Sequence, residues 1–122
     1  MLLNNFFSIT EIDHNEGAVK ASLSIHKEHP IFNGHFPGQP IVPGVCMLQM
    51  LKEVLEIKIN AAVKLQSADF LKFLKFINPQ ETNTVNLELQ YVRTENNTLK
   101  VNGGLVDADS VYFKFKGIYE MR

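Results

Sequence analysis

Proline and glycine crowd into one run of this chain: Gly34-His35-Phe36-Pro37-Gly38-Gln39-Pro40-Ile41-Val42-Pro43-Gly44-Val45-Cys46-Met47-Leu48-Gln49. Three of the five prolines and three of the seven glycines lie inside it. Proline fixes φ and glycine admits unusual φ, so their concentration spells a loop held in one conformation. After Pro43 the helix breakers stop, and proline is well tolerated in the first turn of a helix. Val45-Cys46-Met47-Leu48 and Met50-Leu51 are apolar on nearly every face, which predicts a helix buried all round, with Gln49 as its lone polar residue. A stiff loop carrying a histidine therefore feeds directly into a buried helix carrying a polar side chain.

The rest of the chain must wrap that helix. At 122 residues it has the size of one domain, here taken as residues 1–122, and needs no staples to bury a core. A hydrophobic fraction of 45% and a charged fraction of 20% belong to a soluble globular protein. The net charge of −1 provides no general attraction to nucleic acid or to an anionic membrane. The single cysteine forms no intrachain disulfide, and Met1-Leu2-Leu3-Asn4-Asn5-Phe6-Phe7 lacks the basic start of a signal peptide. No stretch approaches the ~20 apolar residues of a membrane span. The expected location is the cytoplasm.

Taken in order, residues 5–14 mix apolar and polar without a clear period, and Asn15-Glu16-Gly17 reads as a turn. Val19, Ala21, Leu23 and Ile25 then alternate with polar residues as a half-buried strand. The helix is expected from about Pro43 to about Ile57, with Lys52, Glu53 and Glu56 marking where it reaches polar surroundings. Residues 61–77 are ambiguous, because Phe70, Leu71, Phe73, Leu74, Phe76 and Ile77 are broken by lysines every third position. Val85, Leu87, Leu89 and Tyr91, then Leu99 and Val101, then Val111, Phe113 and Phe115 give three alternating strands joined by short polar loops, an antiparallel meander. Gly103-Gly104 marks a bulge or bend. Strands bracketing one buried helix make an α+β layout.

Among the four histidines, His35 alone has neighbours that would fix its approach to a substrate, and an unperturbed pKa near ~6.5 lets imidazole take and give a proton near neutrality. A loop histidine can equally be held for structure alone. His14, His26 and His29 read as surface or structural residues. The histidines and Cys46 lack ligand spacing, so no metal site is expected.

The run from His35 to Val45 resembles the motif of the bacterial 3-hydroxyacyl-[acyl-carrier-protein] dehydratases, the FabZ/FabA-like group, which reads His-Phe-Pro-Gly-x-Pro-x-x-Pro-Gly-Val and is followed by a buried helix. The match is nearly complete over those positions and looser over the rest of the chain. The resemblance implies a hotdog fold, an antiparallel sheet wrapped around one central helix. It places a strand with an irregularity over the ambiguous residues 61–77.

The resemblance also implies the chemistry. Histidine removes the proton from C2 of a 3-hydroxyacyl thioester, carried on acyl carrier protein or coenzyme A, and a carboxylate on the helix assists departure of the 3-hydroxyl as water. That assigns the base to His35. Thioester oxygen would meet the unpaired N–H groups at the helix start, where Pro43 has none to offer and Gly44 and Val45 do. Phe36 and Pro43 complete the expected substrate-binding set, although Gly44 can also be read as easing helix–strand packing. No metal or redox cofactor is needed, because elimination requires only acid–base groups and carbonyl polarisation.

One departure stands out. Where Glu-x-x-x-Gln members have the acid, this chain has Gln49, and where they have glutamine it has Glu53. Residues four apart share a helix face. Glu53 could therefore reach the same cavity, directly or through a water. Alternatively it sits at the polar exit of the helix, paired with solvent or a lysine, while Gln49 orients the substrate hydroxyl.

The resemblance further implies a homodimer or higher homo-oligomer with shared active sites. Phe70, Phe73 and Phe76 would line an acyl tunnel or belong to the plain core. Lys72, Lys75 and Arg93 would form a docking patch for acidic carrier protein. The expected activity is dehydration to a trans-2-enoyl thioester. A thioesterase of the same fold and a catalytically impaired acyl-binding subunit partnering an active homologue are the competing readings.

Overall fold

The computed structural model describes residues 1–34 and 40–122. Six strands and two helices follow in the order β1 (Phe7–Asn15), β2 (Ala18–Ile25), α1 (Ile31–Gly34), α2 (Gly44–Ile59), β3 (Val63–Phe73), β4 (Thr84–Thr94), β5 (Thr98–Val106) and β6 (Val111–Met121). The strands form one antiparallel sheet in the order β1-β2-β4-β5-β6-β3. β2 and β4 are neighbours although α2 and β3 come between them in the chain. The helix therefore lies across the sheet, and β3 closes its far edge. This is the hotdog arrangement expected from the sequence, a sheet wrapped around a central helix.

Alternation decides which face meets the helix. Val19, Ala21, Leu23 and Ile25 of β2, Val85, Leu87 and Leu89 of β4, Leu99, Val101 and Leu105 of β5, and Phe113, Phe115 and Tyr119 of β6 are all buried. Their polar neighbours, such as Lys20, Glu88, Lys100, Lys114 and Lys116, face outward and are exposed. Against this floor α2 sets a stripe of Met47, Met50, Leu51, Val54 and Leu55, the i, i+3, i+4, i+7, i+8 pattern of one helical face. The all-round burial expected of α2 is not found: Val45 is 74% exposed, and Leu48, Gln49 and Lys52 are half-buried. The sheet covers one side of the helix, so the other side of its first turns is open in the single chain.

Of three further points, two correct the sequence reading and one, at β3, bears it out. Residues 7–15 are a strand, and their missing period comes from a bulge between Ile9 and Glu11 that shifts the register against β2. The ambiguous segment is strand β3, with register shifts between Leu65 and Ser67 and between Ala68 and Phe70. These are the irregularity that broke its alternation. Gly103 and Gly104 are not at a bulge in the β4–β5 ladder; they pair in regular register with Leu89 and Glu88. They are glycines because a β-carbon on Gly103 would meet the carbonyl oxygen of Glu88 at 2.5 Å, and one on Gly104 would run into the carbonyl of Phe113. The shift on β5 falls instead between Leu105 and Val106, against β6.

Helix α2 is preceded by Pro43, which is extended (φ −61°, ψ 144°) and contributes no side-chain cap. It ends at Asn60, in the left-handed region at φ 55°, whose N–H donates to the Glu56 carbonyl. No helix among the described residues is long and apolar enough to cross a membrane.

Candidate active site

Pro43 ends an extended stretch and supplies the first helical acceptor. Its carbonyl oxygen takes the N–H groups of Cys46 (3.0 Å) and Met47 (3.3 Å). The N–H groups of Gly44 and Val45 find no acceptor among the described residues, as helix geometry requires of the first turn. They carry the positive end of a sixteen-residue helix. Beside them opens an apolar cavity of about 590 Å³, walled by Pro43, Gly44 and Met47 of the helix start and by Phe73, Leu74 and Phe76 from β3 and the residues after it. An anionic oxygen with an apolar tail fits such a place: donors at one end, hydrocarbon-compatible walls at the other.

His35 and Phe36 lie outside the described residues, so the expected base and one expected contact have no geometry here. The segment leading to them does. Ile31–Gly34 make one helical turn, the Phe32 ring is buried, and Phe6 packs against both Phe32 (ring centroids 5.6 Å apart) and His29 (5.4 Å). The other histidines hold structure. His26 Nδ1 donates to the Asn5 carbonyl (2.9 Å), which leaves Nε2 of the neutral ring to accept from the Ser8 hydroxyl at 2.6 Å. His29 Nδ1 accepts the Ile31 N–H at 3.1 Å, and His14 Nε2 pairs with the Tyr91 hydroxyl at 2.8 Å.

Gly44 has a neighbour within its own chain. A β-carbon there would lie 2.7 Å from Cζ of Phe73, whose ring stacks on Phe113 with centroids 5.3 Å apart. Close approach of Phe73 thus uses part of the room that glycine provides, and the same ring forms a wall of the cavity.

Gln49 and Glu53 are brought together. Gln49 Nε2 donates to Glu53 Oε2 at 2.8 Å. Glu53 is completely buried, so the alternative that places it at a polar helix exit is overturned. What buries it is the start of the chain: the Leu2 N–H donates to both carboxylate oxygens (3.0 and 2.8 Å) and the Leu3 N–H to Oε1 (2.8 Å). No pattern in residues 1–6 announced that they would fold back over the helix. The only signal was Glu53 itself, a charged residue one turn inside an apolar run.

The three aromatic residues at triplet spacing part company. Phe73 and Phe76 wall the cavity beside the helix, whereas Phe70 borders a groove on the outer face of the sheet with Lys114 and Lys116. None belongs to the core of the single chain, Phe76 being 76% exposed and Phe73 48%. The expected basic patch also divides. Lys72 stands directly opposite Lys114 on β6, in line with Gly104 of β5, while Arg93 pairs with Leu99 five residues further along that strand. At ~3.4 Å per residue the two are about 17 Å apart along the sheet. Lys75 donates to the Ser110 hydroxyl at 3.0 Å.

Cys46, at the helix start, is buried, and burial pushes its thiol pKa up. That disfavours the thiolate and any nucleophilic part for it.

The chain is similar to known proteins over most of its length. The profile of the ApeI-like family, described as ApeI dehydratase, matches residues 11–112. The 3-hydroxyacyl-[acyl-carrier-protein] dehydratase FabZ of Wolbachia pipientis wMel is 33% identical over 82 residues, 62% of this chain and 57% of the relative. The enzyme of the same name from Rickettsia bellii (strain OSU 85-389) is 27% identical over 107 residues, 78% of this chain and 73% of the relative. The alignment thus spans little more than half the length of the Wolbachia protein. Among solved structures, the dehydratase heterocomplex ApeI:P from Xenorhabdus doucetiae superposes with a TM-score of 0.73 at 20% identity, covering 93% of this chain and 96% of that one. That likeness carries the hotdog fold.

Proposed function

Because the chain belongs to the ApeI-like dehydratase family, within the FabZ/FabA-like group, we propose that it dehydrates 3-hydroxyacyl thioesters, carried on acyl carrier protein, to trans-2-enoyl thioesters. The observation that carries the reading is the pair of N–H groups on Gly44 and Val45, which have no acceptor among the described residues, beside an apolar cavity. The thioester oxygen binds there, and the acyl chain runs along Met47, Phe73 and Phe76.

In this reading the imidazole of His35 takes the proton from C2. Negative charge spreads onto the thioester oxygen, where the helix donors hold it; such stabilisation is worth ~3–4 kcal/mol per donor in comparable sites. The C2 electron pair then becomes the C2=C3 double bond as the C3–O bond breaks. The departing hydroxyl accepts the proton back from His35 and leaves as water, so the base is regenerated. Gln49 holds the 3-hydroxyl but cannot protonate it, since an amide has no acidic proton to give. One group serving as both base and acid is what imidazole permits near neutral pH.

The open side of α2 and the exposed apolar row on β3 support a site completed by a second copy of the chain. Phe70, Leu71, Phe73 and Leu74 lie on or just after an edge strand, all between two-fifths and one-half exposed. An uncovered apolar edge of this kind is a surface proteins pair or hide.

A second reading is favoured by Gln49. Without a helix carboxylate facing the substrate, the chain would serve as an acyl-binding subunit beside an active relative, in the manner of a dehydratase heterocomplex. One experiment separates the readings: incubation of the purified protein with a 3-hydroxyacyl carrier protein while enoyl thioester absorbance and free acid are followed. The proposal expects enoyl product from the chain alone and a loss of ~10²–10⁴ in rate for His35→Ala. Tight binding without turnover would establish the second reading, and release of free acid would establish a thioesterase.

A further inference from the structure

We infer that Glu53 is a positioning residue: it fastens the start of the chain to α2 and locks the Gln49 amide with its NH₂ on the carboxylate and its oxygen turned away from it. The orientation of Gln49 toward a substrate rests on the function proposed above; the fastening does not.

The geometry is specific. Glu53 is fully buried, and its partners are all neutral N–H donors, two from the backbone of Leu2 and Leu3 and one from Gln49. Both carboxylate oxygens face donors, so neither is left to offer a proton to a substrate. The same contacts determine the amide. A carboxylate accepts hydrogen bonds, and only the Nε2 end of glutamine donates them, so chemistry fixes which way Gln49 is turned. Its Oε1 has no hydrogen-bond partner among the described residues and is turned away from the Glu53 carboxylate. It is an acceptor suited to the O–H of a 3-hydroxyacyl group.

The fastening reaches further than one residue. The Leu2 carbonyl accepts the Asn5 and Phe6 N–H groups (3.1 and 2.7 Å), and Asn4 sits in the left-handed region at φ 66°. The resulting knot presses Phe6 onto His29 and Phe32. Those two residues stand six and three positions before His35 in the chain. Holding Leu2 thus also holds the wall from which the histidine-bearing run departs.

The Gln49–Glu53 bond can be drawn in either direction. With Glu at 49 and Gln at 53, an amide at 53 would still accept from Leu3 and would donate to the carboxylate at 49. Reversing only one member cannot work so well. Two carboxylates would face each other in Gln49→Glu, at a site screened from water.

Thermal unfolding and hydrogen exchange of Glu53→Gln, Glu53→Ala, Gln49→Glu and the double variant Gln49→Glu/Glu53→Gln provide the test. Gln49→Glu is expected to lower Tm by about 5 °C or more, and the added Glu53→Gln to restore most of that loss. Exchange of the Leu2 and Leu3 amide protons is expected to rise at least about tenfold in Glu53→Ala and little in Glu53→Gln. Dehydration by Glu53→Gln is expected to keep the wild-type shape of its pH–rate profile, with KM moving more than kcat. Additive Tm changes, or unaltered exchange in Glu53→Ala, would overturn the fastening. Loss of ~10²-fold or more in kcat with a missing limb of the pH profile in a well-folded Glu53→Gln would make Glu53 an acid instead. If the wild type shows no dehydration at all, the proposed function fails while the unfolding cycle and exchange still decide the fastening.

Discussion

The ring of Phe73 lies where a β-carbon on Gly44 would have to go, 2.7 Å from Cζ. Helix start and edge strand are in this way fitted to one another at the proposed thioester site. Phe73 is half exposed, so its ring can swing aside. Gly44→Ala is expected to cost about 1–2 kcal/mol, the low end of overpacking. It would also narrow the cavity, so KM should rise more than stability falls. Comparing Gly44→Ala with Gly44→Ala/Phe73→Ala by denaturant unfolding checks the coupling: the second change should relieve much of the strain of the first.

Gly104 admits no such adjustment, because the atom in the way is the backbone carbonyl of Phe113. Gly104→Ala must separate β5 from β6 at the centre of the sheet. A loss of about 3 kcal/mol or more is expected, read as a lowered denaturant midpoint or insoluble expression. Ala at the exposed Lys100, on the same strand and face, is the control and should change stability by less than about 0.5 kcal/mol.

Tyr119 is buried on β6, and burial, helped by the nearby charge of Glu56, pushes its hydroxyl pKa up from 10.0 to about 12. Folded chains hold that proton when unfolded ones have released it. The contribution is therefore complete below about pH 10 and is lost as pH rises from there through about 12. Two units correspond to on the order of 2–3 kcal/mol. The Tm of wild type should fall toward that of Tyr119→Phe across this window, with the gap between them steady below pH 9.

Charging the β3 edge tests the shared site. Wild-type protein is expected to sediment at twice the mass of the chain. Phe70→Glu/Leu71→Glu should sediment as single chains with an unchanged far-ultraviolet spectrum, since both side chains are only half covered by their own chain. Dehydration should drop at least ~100-fold in that variant if the partner copy completes the site. Activity retained by single chains would show each site to be complete within one protomer.

Local chemistry made much of this protein legible in its residues. Val85–Tyr91, Leu99–Val101 and Phe113–Phe115 alternate because one face of the sheet meets a helix and the other meets water, and that period survives in the sequence. The turn at Gly17, φ 74°, was legible for the same reason: a left-handed residue needs glycine or its few substitutes. The run through Pro43, Gly44 and Val45 announced a helix entered from a stiff loop, and the helix begins at Gly44. Bulges at Ile9/Glu11 and Ala68/Phe70 erased the period of β1 and β3, because each extra residue turns the following side chains to the opposite face.

Residue types and their spacing along one helix thus determined that Gln49 and Glu53 would be neighbours, since the separation of four is a property of the helix. Only tertiary structure decided that Glu53 would be sealed from water by the amides of Leu2 and Leu3, fifty residues away in the chain. Backbone N–H groups are the same at every position, so a segment that closes over a carboxylate by its main chain leaves no mark in its side chains.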